Sequence, residues 1–103
     1  MSEARLTVER SVVDDMIRLA AEEVPGVLRV GRGGPPWRGW LRPALRTRRR
    51  GRRVEVRLWV VARPGQDLVE VGREVRAAIV GAVERLLGLE PGPVTVVVDG
   101  VGT

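Results

Sequence analysis

Between residues 68 and 86, Leu68, Val71, Val75, Ala78, Ile79, Ala82, Val83 and Leu86 fall on a single apolar stripe of a helix about five turns long. A stripe of that length needs a flat apolar surface to lie on, and the flanking segments supply one. Residues 54–62 alternate, so that Val54, Val56, Leu58, Val60 and Ala62 share one strand face while Glu55, Arg57, Trp59 and Val61 share the other. Beyond the helix, "VTVVVDGV" at residues 94–101 reads as another strand, with Val94, Val96 and Val98 turned inward. Asp67 with Glu70 three residues on marks the helix start, and Gly88 marks its end.

The N-terminal part repeats this scheme in shorter form. "RLTVE" at residues 5–9 alternates around Leu6 and Val8, a short strand. Ser11 is the expected N-cap of a first helix, with Asp14 and Asp15 favourable in its first turn. Val13, Met16, Ile17, Ala20 and Val24 supply its stripe, "VPG" at residues 24–26 stops it, and "VLRV" at residues 27–30 is a second strand. The expected order is β-α-β-β-α-β. This is an α+β fold, two helices on one face of a four-stranded sheet, in a ferredoxin-like or similar split β-α-β arrangement. With 103 residues the chain has material for one core, so residues 1–103 are read as a single domain.

Residues 31–53 break the pattern. "GRGGPPWRGWLRPALRTRRRGRR" holds no sustained period and is read as a basic Gly/Pro/Arg-rich insert, a loop of unusual length. All 18 basic residues of the chain are arginine, and ten of them lie between Arg29 and Arg53 without a single acid; the other eight face 13 acids. The net charge of +5 therefore belongs to one segment.

Catalysis has little to work with. Histidine, cysteine, tyrosine and lysine are all absent, which removes most nucleophiles, general bases and Schiff-base chemistry, and the lack of cysteine also excludes disulfides. The paired carboxylates Asp14/Asp15 and Glu22/Glu23 stand at helix ends, where capping and solvation explain them, and Asp99 reads as a turn residue. The chain is expected to be no enzyme, to hold no metal or cofactor and to have no small-molecule substrate. Pro35 and Pro36 follow "GVLRVGRGG" where a phosphate-binding helix would have to begin, so that stretch is a turn. No run of apolar residues is long enough to span a bilayer and the start lacks a signal peptide's pattern, so a cytoplasmic protein is expected.

The chain outside the insert resembles the alkaline-shock-protein family of bacterial envelope stress response proteins. The resemblance lies in "VERSVVDDMIRLAAEEVPGVLRV", with its helix running into a "VPGV" turn at residues 24–27, and in "VEVRLWVVARPGQDLVEVGREVRAAIVGAVERLLGLEPGPVTVVVDGV", with a helix start at residues 65–71 and a valine-rich last strand. It implies a non-enzymatic, self-associating scaffold or adaptor in envelope stress, held near the membrane through a partner. The insert and "EPGP" at residues 90–93 depart from the family's pattern.

Three readings of the insert compete: a solvated loop, a membrane-surface or membrane-anchored-protein contact, and an RNA or single-strand contact. The last two assign anion binding to Arg38, Arg42, Arg46, Arg48, Arg49, Arg50, Arg52 and Arg53, and the membrane or protein reading adds Trp37, Trp40 and Leu41 as its contact. The resemblance favours the membrane surface, at the inner face of the cell membrane, and nucleic acid is the runner-up. An RNA-recognition sheet would need aromatics that this chain lacks, since Trp59 stands alone on its strand. Trp59, Val61 and Val97 should share the sheet face away from the helices, and that apolar patch is the expected site of homo-oligomerisation unless Trp37 and Trp40 fold back over it.

Overall fold

The computed structural model describes residues 8–35 and 37–102; of the Arg38 side chain nothing is described. The elements are α1 (Arg10–Glu22), β1 (Val27–Val30), a single helical turn α2 (Arg38–Leu41), β2 (Leu45–Arg50), β3 (Arg53–Ala62), α3 (Leu68–Gly81) continued by one π turn (Ala82–Leu86), and β4 (Glu90–Val101). The expected strand at residues 5–9 lies mostly outside the described residues; Val8 is half-buried against the core.

β3 is the centre of the sheet. β4 runs parallel to it on one side, with Leu58 opposite Val96 and Trp59 opposite Val97. On the other side β1 and β2 follow one another along the same edge, both antiparallel to β3. Trp59 sits at the junction, its N–H donating to the Ala44 carbonyl (2.8 Å) and its own carbonyl accepting from the Gly31 N–H (2.9 Å). Residues 32–43 thus leave a single strand line and return to it. Both helices cover the same sheet face, as the stripes require. Val13, Ile17 and Ala21 of α1 and Val71, Val75 and Ile79 of α3 close over Val54, Val56, Leu58, Val60 and Ala62. Full burial of each large side chain contributes about 1.5–3 kcal/mol.

Two expectations need correction. The arginine run is no loop, because residues 45–50 form β2 and pair with residues 53–58 in a hairpin. Gly51 has φ +58 and no other residue type takes a positive φ. A positive angle at the first of two loop residues and a negative one at the second is the type II′ turn that suits a hairpin's twist. Ser11 is also no cap. α1 starts from Glu9, whose carbonyl accepts from the Val12 and Val13 N–H groups. Asp14 instead accepts a 2.6 Å hydrogen bond from the Thr47 hydroxyl, tying α1 to β2. At α3 the cap is as expected, with the Asp67 side chain accepting from Val69 and Glu70 N–H.

Candidate functional site

The candidate site is the sheet face away from the helices, together with the edge of β4 that no described strand covers. Trp59 and Val61 do lie on that face, but the chain covers them itself: they are 9% and 3% exposed, and Val97 is half-buried. Over Trp59 the cover is the start of the excursion, residues 31–34. Arg32 lays its guanidinium 3.7 Å from the Trp59 ring centroid, a cation–π contact, and Arg57 approaches the same ring at 5.9 Å. Next to it the Gly33 N–H donates to Asp99 Oδ2 at 2.9 Å, so the strap crosses from β1 over β3 to β4. Trp37 and Trp40 take no part in the cover; Trp37 just before α2, and Trp40 and Leu41 on it, stand out 56%, 89% and 70% exposed.

The arginines divide by strand alternation. Leu45, Thr47 and Arg49 turn to the helix side, where Leu45 is buried. Arg49 is spent within the chain, donating from Nε to the Gly51 carbonyl and from Nη1 to the Val8 carbonyl. Arg52, in the turn, donates to the Gly88 carbonyl at 2.6 Å. Arg46, Arg48 and Arg50 project from the opposite face beside Arg53 and Arg57 of β3, with Glu55 the lone carboxylate between them. Arg42 is exposed beside Trp37 and Leu41. Among the described residues the one ion pair is Arg73 with Glu70, remote from this face, so none of their acids forms an ion pair with the basic run.

The edge of β4 was missed from the sequence. Because Trp59 directs its N–H and carbonyl toward β1 and β2, Leu58 and Val60 direct theirs toward β4. In the parallel register these meet the backbone groups of Thr95, Val97 and Asp99. Val94, Val96 and Val98 therefore point their N–H and carbonyl groups outward, and no described strand pairs with them. Edges are commonly guarded by charge, proline or a bulge. Here Pro91 and Pro93 precede the run and a register shift follows Val98, but residues 94–98 carry no charge.

Fold and site together define a small α+β domain with an exposed arginine face and a strand edge that no described strand covers. No family model matches the chain and no curated protein does. Solved structures do. A MamM CTD variant in a nickel form aligns with TM-score 0.64 and 24% identity over 87% of this chain and 96% of its own. A manganese form gives 0.66 and 24% over 89% and 99%, and a copper form 0.66 and 23% over 88% and 85%. At such identities the likeness establishes the fold. It also overturns the resemblance drawn from the sequence: the neighbours are MamM CTDs, so membership of the alkaline-shock-protein family is withdrawn. The envelope-stress scaffold and its membrane-surface and RNA-binding variants go with it. Among the described residues no helix is long and apolar enough to cross a membrane.

Proposed function

We propose that this chain is a non-catalytic domain that works by pairing with a second copy of itself along the outer edge of β4. The observation that carries this reading is the row of outward backbone groups at Val94, Val96 and Val98 in an uncharged run. In an antiparallel two-fold pairing Val96 faces its own symmetry mate and Val94 faces Val98 of the other copy. β-Branched cross-strand pairs of this kind contribute about 0.2–1 kcal/mol each beyond the hydrogen bonds. The sheet then continues from one copy into the next.

The metals named for the MamM CTD forms do not transfer by donor chemistry. This chain has no histidine or cysteine, and its described residues hold no cluster of three carboxylates. Self-association through Trp59 and Val61 is likewise disfavoured, since both are already buried within the chain.

Sedimentation of the full chain tests the reading. Val96→Pro removes an outward N–H and spares the ladder to β3, so it should give a folded monomer where the parent is a dimer. Val97→Pro removes an amide that bonds Leu58 and should unfold the chain. A parent that stays monomeric at high micromolar concentration ends the proposal, and so does a folded Val96→Pro dimer.

A further inference from the structure

The open face of the β2–β3 hairpin carries an arrangement that self-pairing does not explain. Its cross-strand register sets Arg46 directly opposite Arg57 and Arg50 opposite Arg53, with Arg48 opposite Glu55. Like charges facing one another across a sheet destabilise it. This hairpin carries two such pairs, and no ion pair relieves them among the described residues. Of these charged residues, Arg46, Arg48, Glu55 and Arg57 border an open cleft of 560 Å³, with Arg10 and Thr95 also in its walls; the Arg50–Arg53 pair lies outside it. That volume falls in the range of small-molecule sites.

We infer that this cleft binds a small polyanion of the linked-phosphate class. The strand positions that carry these arginines are spaced about 5 Å across the pair and about 7 Å along the strand, an array on the scale of two or three joined phosphates. Each guanidinium can offer a forked pair of N–H donors to phosphate oxygens. Thr95, opposite Arg57 on β4, adds a hydroxyl donor on the third strand. Glu55 stands half-buried between them and opposes any anion, so it limits the affinity. This gives a signature that a purely structural hairpin would not produce, because removing the acid and removing an arginine must act in opposite directions.

The test is calorimetric titration of the full chain with inorganic tripolyphosphate at low and moderate salt. Single-stranded RNA and vesicles containing anionic lipid serve as comparison arms. Binding should weaken with salt and fall about tenfold or more in Arg46→Gln with Arg57→Gln, the loss expected for charge-assisted hydrogen bonds. Glu55→Gln should tighten it several-fold. The charge-matched control, Arg63→Gln with Arg76→Gln on exposed positions elsewhere, should leave it near the parent value. Circular dichroism checks that each variant is folded. The inference is overturned if tripolyphosphate does not bind, or if the control loses as much as the cleft variants. It is equally overturned if Glu55→Gln leaves affinity unchanged, or if RNA or vesicles bind at this face without competition from tripolyphosphate.

Discussion

Replacing Gly33 by alanine isolates the strap from the rest of the fold. A β-carbon at that position would lie 1.7 Å from the Asp99 carbonyl oxygen, a backbone atom fixed in β4, so the strap has to lift. Lifting it gives up the hydrogen bond from Gly33 N–H to the Asp99 carboxylate, about 1.5–3 kcal/mol for a charged acceptor. It also gives up the stacking of Arg32 on Trp59, about 1–2 kcal/mol where the cation is desolvated. Water recovers part of both, and the helix-side core is untouched, so a loss of about 3 kcal/mol is expected. With a urea slope of about 1–1.5 kcal/mol/M for a chain of this size, the midpoint should fall by about 2 M. The assay is urea unfolding in a Trp37→Phe, Trp40→Phe background, which leaves Trp59 as the sole indole. Its emission should shift to the red in Gly33→Ala before the global transition. An unchanged midpoint with unchanged Trp59 emission would refute the argument that the strap seals this face.

Two smaller changes test the local assignments. Asp67→Ala removes the side chain that accepts from Val69 and Glu70 N–H and should cost about 1 kcal/mol in thermal or urea unfolding, whereas Ser11→Ala, at a position that caps nothing, should cost within about 0.5 kcal/mol. Thr47→Val keeps the shape of β2 but strands Asp14 without its 2.6 Å donor, so stability should drop by about 1–2 kcal/mol, and Thr47→Ser should restore most of it.

Much of the architecture was legible where period and burial coincide. β3, α3 and β4 from Val94 on read directly because their apolar residues alternate or stripe, and Asp67 announced its helix, while residues 90–93 of β4 were read as a linker. β2 escaped because its inward positions, Leu45, Thr47 and Arg49, include just one apolar residue, and arginine at every other site hides the period. Leu45 two residues before Thr47, and a glycine placed for a two-residue turn at residue 51, were the available signals. The strap could not be read at all, since Arg32 and Gly33 find Trp59 and Asp99 only after β3 and β4 have assembled. The edge of β4 that no described strand covers is likewise a property of strand order, which periodicity does not specify. The family resemblance failed because helix, turn and valine-strand order is shared by α+β domains of different kinds.

Amide hydrogen exchange at Val96 tests the pairing most directly. The outward N–H of Val96 has no described acceptor within its own chain, so a second copy is what would protect it. Slow exchange at high concentration that is lost on dilution, in step with the fall from dimer to monomer mass, is the predicted result. Val96 exchanging at the rate of an exposed loop amide in a sample whose mass is that of a dimer would contradict it.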